Sequence, residues 1–250
     1  MTFSATYFGS SGWLIDFGKI RVLIDPWLTG RLSFPPGPWL IEGRLTKKLD
    51  VPKGISLILL SQGLADHAHP PSLDLLSKSI PVVGSKSAAS VVKELGFKTI
   101  FELKPGEVKI VEGLKIEASE GAFVPNVENG YLLSNDFGSL YYEPHGFLDK
   151  KISARRLDAV ITPVVNLRLP IVGDFIKGKK ILPELIKRFQ PFTVLASTTG
   201  GDSIFTGILN KFITLDDIKG EELEIFSEKT FFIDPVPGKS YSLKSSKEGF

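Results

Sequence analysis

The segment from residue 61 to residue 69 concentrates side chains that bind metals, move protons or hydrogen-bond a substrate. It directly follows the apolar run 55–60, which predicts a buried strand. The segment contains four such side chains: Gln62, Asp66, His67 and His69. In open α/β sheets, functional groups gather beyond the carboxyl ends of the strands. The residue types and their position therefore predict a functional site at this strand end.

Patterns of apolar residues predict the elements that must position this segment. Helical spacing occurs in three stretches: 71–77 with Ser72 as N-cap, 87–95 and 182–189. Short apolar segments predict strands at 5–8, 13–17, 21–24, 56–60, 81–84, 100–101, 108–111, 114–118, 130–133, 139–142, 157–161 and 193–196. Three prolines within 31–39 predict an irregular loop. This order predicts two mixed β-sheets packed face to face with helices outside, in a single domain over residues 1–250.

The composition limits the class of protein. The 250 residues are 42% hydrophobic and 23% charged, which is ordinary for a soluble globular protein, and the net charge of +2 argues against nucleic-acid binding by bulk electrostatics. The absence of cysteine excludes disulfides, thiolate ligands and cysteine nucleophiles. No signal-peptide pattern is seen, and no apolar run approaches the roughly 20 residues of a spanning helix. We therefore expect a cytoplasmic protein without a transmembrane segment.

The segment 61–67 is similar to a known motif. The metallo-β-lactamase fold superfamily is marked by the motif Thr-His-x-His-x-Asp-His, which follows a strand and precedes a helix. Asp66 and His67 match the last two positions of this motif. Residues 22–26 resemble the end of the amino-terminal hairpin in the lactonase-like branch, and 157–163 resemble a later strand beside the active site. The resemblance implies an αββα sandwich of the α/β (α+β) type. It also implies hydrolysis of esters, amides, lactones or phosphodiesters with one or two metal ions.

The motif is degenerate in this chain. Ser61 occupies the threonine position, and Gln62 and Leu64 replace the first two histidines. The last histidine of the family, expected after the strand 193–196, is absent, and Glu143-Pro144-His145 replaces the usual bridging aspartate. The resemblance thus implies that the standard two-metal site cannot form here.

The remaining donors are compatible with a rearranged, mononuclear metal site. A catalytic zinc needs about three protein ligands and one open position. Asp66, His67 and His145 would supply the ligands, with His69 or Glu143 as a further group. We expect zinc, with iron or manganese as alternatives, or no metal. Asp66 and Gln62 are the predicted catalytic residues, and Gln62 would hydrogen-bond a substrate or a water molecule.

Several residues keep a structural explanation beside the functional one. Asp66 could cap a helix, and His69 could be an exposed loop residue. Asp25 would orient the metal-binding loop, as the resemblance implies, or cap a turn. Glu120 and Asp202 are further candidate acids. The aromatic loop with Trp27, Phe34 and Trp39 could line a substrate pocket or fold back on the core. The glycine pair Gly200-Gly201 could bind an anion or form a turn.

Two functions follow from these alternatives. The first is a metal-dependent hydrolase acting on an ester, lactone or phosphoester of a small-molecule substrate. The second is a metal-free, non-catalytic relative that serves as a binding or assembly module. Both functions are compatible with a homo-oligomer. His145 decides between them, because it determines whether Asp66 and His67 have a partner.

Overall fold

A computed structural model describes residues 2–123, 127–170, 173–197, 203–218 and 229–246. Strands are numbered in chain order. Within these ranges the first large sheet has seven strands: β1 (Phe3–Gly9), β2 (Gly12–Phe17), β3 (Ile20–Ile24), β6 (Leu57–Leu60), β7 (Val82–Gly84), β8 (Ile100–Glu102) and β20 (Ser240–Ser242). Their spatial order is β20-β1-β2-β3-β6-β7-β8. The sheet is mixed, because β1, β2 and β3 pair antiparallel while β3, β6, β7 and β8 pair parallel.

The second large sheet also has seven strands in the part of the chain that the structure describes: β9 (Val108–Val111), β10 (Leu114–Phe123), β11 (Val127–Ser134), β12 (Ser139–Tyr142), β13 (Ala159–Pro163), β16 (Thr193–Ser197) and β19 (Phe231–Ile233). Their order is β19-β16-β13-β12-β11-β10-β9. The strands β9 to β12 pair antiparallel, and β12, β13, β16 and β19 pair parallel.

The alternation of side chains along the strands explains why the two sheets pack face to face. Successive side chains of a strand point to opposite faces. Trp13 and Ile15 of β2 belong to the central core together with Leu133 and Ile161 of the second sheet. Leu14, between the two β2 residues, belongs instead to a cluster on the outer face of the first sheet. Each large sheet therefore buries both of its faces.

Helices cover both outer faces. They are α1 (Pro70–Leu73), α2 (Lys86–Glu94) and α3 (Gly178–Phe189). Ala88 and Val92 of α2 pack on the first sheet, and Leu182 and Phe189 of α3 pack on the second. The layers are thus helix, sheet, sheet and helix, which confirms the predicted αββα sandwich.

Two small sheets were not predicted. One contains β4 (Arg31–Ser33), β5 (Glu42–Leu45) and β17 (Ser203–Thr206), and the other contains β14 (Asn166–Leu169), β15 (Gly173–Lys177) and β18 (Thr214–Asp216). A 3₁₀ turn, Leu209–Lys211, lies between β17 and β18. The prediction of an irregular loop over 31–39 is wrong for its first three residues, because β4 pairs with β5.

The helix predicted over 71–77 is also wrong in its bounds. The structure has one helical turn, α1, and its N-cap is His69 rather than Ser72. Ser72 instead accepts a hydrogen bond from the Leu28 amide at 2.7 Å through Oγ, so its hydroxyl serves a distant loop. None of the helices in the described ranges has the length and apolarity to cross a membrane. The single domain over residues 1–250 stays a prediction.

The two-sheet core gives a matched pair of stability tests. Ile161 is fully buried between the sheets, and Ile110 of β9 is 65% exposed. We expect Ile161→Ala to lower the free energy of unfolding by about 2–5 kcal/mol, because it leaves a cavity in a close-packed core. Ile110→Ala should change it by less than about 0.5 kcal/mol. Urea unfolding measures both, and equal losses would contradict this packing.

Candidate functional site

The candidate site lies where strands of both large sheets end. Asp25 follows β3, Ser61 follows the neighbouring strand β6, and Glu143 follows β12 of the second sheet. The sheets are connected here by hydrogen bonds, because the Tyr131 hydroxyl donates to the Leu60 carbonyl oxygen at 3.0 Å. Parallel strands place their carboxyl ends at one edge, so residues distant in sequence meet there.

The Asp25 carboxylate connects the groups at this edge. It is fully buried, and its Oδ1 accepts a hydrogen bond from the Ser61 amide at 2.8 Å. Its Oδ2 accepts from the Ser61 hydroxyl and from the Tyr142 hydroxyl at 2.6 Å, and lies 2.7 Å from His67 Nδ1. The backbone of Asp25 has a φ of 39°, which a non-glycine residue rarely adopts. These contacts compensate the buried charge and hold the residue in that conformation.

His67 lies between two carboxylates. Its Nδ1 contacts Asp25, and its Nε2 lies 3.2 Å from Asp66 Oδ2. Burial alone would lower the pKa of His67, but the charges of Asp66 and Asp25 and their hydrogen bonds raise it to about 10. Burial would raise the pKa of Asp66, and the charge and hydrogen bond of His67 outweigh this effect and lower it. Without another cation, the pair is an imidazolium between two carboxylates.

His145 reaches the same place from the second sheet. The rings of His67 and His145 are 5.1 Å apart between centroids. His145 Nε2 lies 3.2 Å from Gln62 Nε2, and His145 Nδ1 lies 3.8 Å from Glu143 Oε1. Both histidines therefore have a carboxylate behind Nδ1 and turn Nε2 toward the predicted catalytic residues Asp66 and Gln62.

Two oxygen atoms at this point have no partner. Gln62 Oε1 and Asp66 Oδ1 are buried and form no hydrogen bond with the described residues. The rest of the Asp66 side chain is 26% exposed, whereas Gln62 is fully buried. A buried oxygen without a donor is costly, so these two atoms indicate a position for a water molecule, a cation or a substrate group.

The turn that holds His145 depends on Glu143. The Glu143 carboxylate accepts hydrogen bonds from the amides of His145 at 3.1 Å and Phe147 at 2.6 Å. At Gly146, φ is 73°, and an added Cβ would collide with the backbone of Gly178 at the start of α3. The carbonyl oxygen of His145 accepts from the amide of Lys177 at 2.9 Å. The position of the turn is therefore fixed by the Glu143 carboxylate, by the packing of Gly146 against Gly178 and by the hydrogen bond from Lys177.

A second acidic residue supports the loop 61–67 from behind. The Gly63 amide donates to the Ser87 hydroxyl oxygen at 2.8 Å, and Ser87 Oγ donates to the Glu128 carboxylate at 3.1 and 3.2 Å. An added Cβ at Gly63 would lie 2.7 Å from the backbone of Ser87, so this contact requires glycine. Burial raises the pKa of Glu128, although hydrogen bonds from Ser85 and Ser87 oppose the rise.

His69 lies apart from these groups. Its Nδ1 is 2.8 Å from Ser72 Oγ, and its Nε2 is 3.2 Å from the carbonyl oxygen of Arg31. Burial lowers the pKa of His69. Because protein groups already engage both ring nitrogens, we leave His69 out of the ligand set proposed below. The alternative prediction of an exposed loop residue is wrong, since His69 is 2% exposed.

The remaining candidate residues of the sequence analysis lie in different environments or outside the described ranges. The Glu120 side chain is partly exposed, and its carboxylate lies 3.6 Å from Lys151 Nζ. In the aromatic loop, Trp27 is fully buried and Trp39 is 58% exposed. Asp202 and the glycine pair Gly200-Gly201 lie outside the described residues.

The proximity of Ser61, His67 and Asp25 does not form a nucleophilic triad. Ser61 Oγ lies 3.2 Å from His67 Nδ1, but the same nitrogen lies closer to Asp25, at 2.7 Å. Ser61 is 1% exposed, and its hydroxyl donates to the Asp25 carboxylate. A triad needs a base free to take the nucleophile's proton and a nucleophile open to substrate. Ser61 is therefore a structural residue.

Sequence reasoning missed three groups of this site. The partners of Tyr142 and Ser87 are Asp25 and Glu128, which lie 117 and 41 residues away, so no local pattern indicates these contacts. The one sequence signal concerns Tyr142, which ends β12 directly before Glu143.

The fold and the motif-bearing strand ends define the class of the protein. Residues 4–197 match the sequence profile described as the beta-lactamase superfamily domain. The chain belongs to the metallo-β-lactamase superfamily, and the predicted resemblance is confirmed.

Individual relatives are distant. A metal-dependent hydrolase of Paracoccus denitrificans is 26% identical over 147 residues, which are 54% of this chain and 60% of that protein. A metal-dependent hydrolase of Methanopyrus kandleri is 23% identical over 197 residues, which are 74% of this chain and 79% of that protein. The chain therefore spans about 60% of the length of the first curated relatives it matches.

Solved structures share the fold. The isothiocyanate hydrolase from Delia radicum gut bacteria has a TM-score of 0.69 at 18% identity, with 95% of this chain and 98% of that chain covered. A possible metal-dependent hydrolase from Veillonella parvula has a TM-score of 0.68 at 13% identity, with 97% and 100% covered. At these identities the likeness shows the fold alone.

The Asp25 contacts predict a large effect of one substitution. Asp25→Asn keeps the side-chain shape and tolerates the positive φ, but it removes the charge beside His67 and cannot accept all the donors on Oδ2. We expect the free energy of unfolding to fall by about 3–5 kcal/mol, as for a buried ion pair that loses one partner. Asp16→Asn is the control, because its ion pair with Arg21 is partly exposed, and its cost should stay below about 1 kcal/mol. Equal effects in urea unfolding would contradict the role assigned to Asp25.

The raised pKa of Glu128 predicts a pH dependence. The Glu128 carboxyl stays protonated in the folded chain above pH 4.5, the ordinary pKa at which the unfolded chain releases the proton. The free energy of unfolding therefore falls as pH rises through the pKa of Glu128 in the folded chain. Relative to wild type, Glu128→Gln should therefore become more stable as pH rises from about 4 to 7. Urea unfolding across this range measures the difference, with Glu94→Gln on the exposed end of α2 as the control for a lost carboxylate. The prediction would be contradicted if the wild type gained stability relative to Glu128→Gln as pH rises.

Proposed function

We propose that this chain is a metal-dependent hydrolase with a mononuclear site formed by Asp66, His67 and His145, with Gln62 beside it. The observation that carries the proposal is the pair of partnerless buried oxygens, Gln62 Oε1 and Asp66 Oδ1, next to two imidazole Nε2 atoms. The names of the Paracoccus and Methanopyrus relatives support the same activity class.

The surroundings of the two histidines suit metal ligands. Metal-binding histidines usually place the other ring nitrogen against a carboxylate, which fixes the tautomer and the ring orientation. Asp25 has this position behind His67 at 2.7 Å, whereas Glu143 lies behind His145 at 3.8 Å, too far for a hydrogen bond. Two imidazoles, a carboxylate and an amide oxygen suit zinc, with iron or manganese as alternatives.

The side chains of the candidate site are not preorganised for metal binding. Within the described ranges, no group of three or more His, Asp or Glu side chains is positioned to hold a metal ion. The reason is visible at His67, whose Nε2 faces the Asp66 carboxylate directly. A cation would replace the proton that His67 and Asp66 now share, so binding and deprotonation of His67 would occur together.

The proposed roles of the residues follow from their positions. When bound, a divalent cation supplies Lewis acidity and lowers the pKa of a water molecule. Asp66 is the group that would take or return a proton, because it is the partly exposed carboxylate beside His67. Gln62 would donate from its amide to a substrate oxygen or to water. The substrate would be a small molecule with an ester, lactone or phosphoester bond.

A specific observation favours the second function, a metal-free binding or assembly module. His67 already has a carboxylate at each nitrogen, so Asp25, His67 and Asp66 compensate one another without a metal. In that case the chain would keep the superfamily fold and this ion pair for stability alone.

Metal binding separates the two functions. Chelator-treated protein is titrated with ZnCl₂ or MnCl₂ in a calorimeter, and the metal content is measured after dialysis. We expect one cation per chain, no stoichiometric binding by His145→Ala, and an affinity about 10- to 100-fold lower for Glu143→Gln. His69→Ala is the matched control, and it should bind like the wild type, since His69 faces Ser72 and Arg31.

Two outcomes decide against the hydrolase. If the wild-type protein binds no stoichiometric metal, the metal-free module is the correct function. If metal binding survives both His67→Ala and His145→Ala in folded protein, the proposed ligands are wrong. A panel of esters, lactones and phosphodiesters with and without metal then tests the reaction, and hydrolysis independent of added metal would overturn the mechanism.

A further inference from the structure

Several large apolar side chains are exposed in the segment 203–212. They are Ile204, Ile208 and Phe212, which are 41%, 52% and 54% exposed. Trp39, 58% exposed, is adjacent, because its carbonyl oxygen accepts a hydrogen bond from the Ile208 amide at 3.0 Å. We call these four residues the apolar ridge. Soluble proteins rarely expose so many large apolar groups close together unless the surface binds something.

Ile204 places the ridge on the outer face of the small sheet formed by β4, β5 and β17. Ile204 of β17 points outward, whereas the next residue, Phe205, packs toward Trp27 with ring centroids 6.4 Å apart. Trp27 is fully buried, so one face of this sheet covers the interior and the other face carries the exposed apolar group.

Positive charge accompanies the ridge. In β4, β5 and β17, the residues Arg31, Arg44 and Ile204 lie side by side in register. Arg31 forms an ion pair with Glu42 at 2.9 Å, whereas Arg44 is exposed and has no ion pair or hydrogen bond to any residue in the described ranges. The segments 31–45 and 203–212 contain three cations, the third being Lys211, and Glu42 is their one acid. The surface therefore keeps an excess of positive charge.

The charges distinguish the occupants that could cover this surface. A second copy of the chain in a two-fold contact would place the same patch against itself, so unpaired cations such as Arg44 would face each other. An anionic lipid surface instead offers phosphate groups to the cations and an apolar boundary to Trp39 and the aliphatic residues. Tryptophan favours that boundary, and cations near it gain from the negative surface potential.

We propose that the apolar ridge and the arginines beside it dock this protein on an anionic membrane surface. The occupant is the lipid headgroup region, and no segment of the chain crosses the bilayer in this arrangement. The proposal does not rest on the proposed hydrolase function, because it requires neither a metal nor a reaction.

Vesicle binding tests the proposal with a reporter already present in the chain. Trp13 and Trp27 are fully buried, so Trp39 is the exposed tryptophan of the three. We expect co-sedimentation and a blue shift of tryptophan emission with vesicles of phosphatidylcholine mixed with phosphatidylserine. Neither should occur with phosphatidylcholine alone, and added salt should weaken the binding.

Variants identify the surface. Arg44→Glu should lower the partition constant for the anionic vesicles by about 5- to 30-fold, since it changes two charges near the lipid surface. Ile208→Ser combined with Phe212→Ser should abolish the binding. The matched controls change exposed residues elsewhere: Lys86→Glu on α2 for the charge and Ile110→Ser on β9 for the apolar group. Both controls should bind like the wild type.

Three results would overturn the proposal. The first is the absence of binding to either kind of vesicle. The second is equal binding to neutral and anionic vesicles, which would exclude the role of the arginines. The third is a lipid-free oligomer in sedimentation velocity that the double substitution Ile208→Ser and Phe212→Ser dissociates, because the occupant would then be a second copy of the chain.

Discussion

The buried carboxylate of Asp25 is the interaction on which the rest of the site depends. It belongs to the first sheet, and its partners include Ser61 after a neighbouring strand and Tyr142 in the second sheet. A buried charge is tolerated only when donors surround it, and here those donors come from three residues, Ser61, His67 and Tyr142. The relative position of the sheets and the position of His67 are therefore set by the same few atoms.

The two histidines of the site are supported unequally. His67 Nδ1 lies 2.7 Å from its carboxylate, while His145 Nδ1 lies 3.8 Å from Glu143, beyond hydrogen-bond distance. Glu143 uses its oxygens on backbone amides of the turn instead. The imidazole of His67 is thus fixed by its side-chain partner, whereas the backbone of His145 is fixed and its ring is less restrained.

Much of the fold follows from alternation along the sequence. Buried strands such as β2 and β6 are visible because their apolar residues lie on defined faces, and the order of strands and helices indicates two covered sheets. The small sheets are invisible at this level, since β4 and β18 have three residues each and pair with distant segments. The helix predicted over 71–77 is a single turn, and Ser72, its predicted N-cap, lies inside that turn and accepts a hydrogen bond from Leu28.

The site could be predicted in part for the same reasons. Asp66 and His67 are adjacent and follow a recognisable strand, and His145 follows another, so the meeting of these residues is a consequence of topology. The support of the site is not local: the contact of Asp25 with Tyr142 joins residues 117 positions apart. Nor does a sequence reveal that Gly63 must let the backbone of Ser87 approach, because that requirement exists only once the layers are packed.

The double role of Asp25 has a consequence for how descendants of this chain would change. Under the proposed function, loss of chemistry at the strand ends would remove selection on Gln62 and His145, whereas Asp66 could persist through its ion pair with His67. Selection for a folded protein would still retain Asp25 and Tyr142, since they join the two sheets. A relative that keeps the Asp25–Tyr142 contact is therefore no guide to activity. The informative positions are Gln62 and His145.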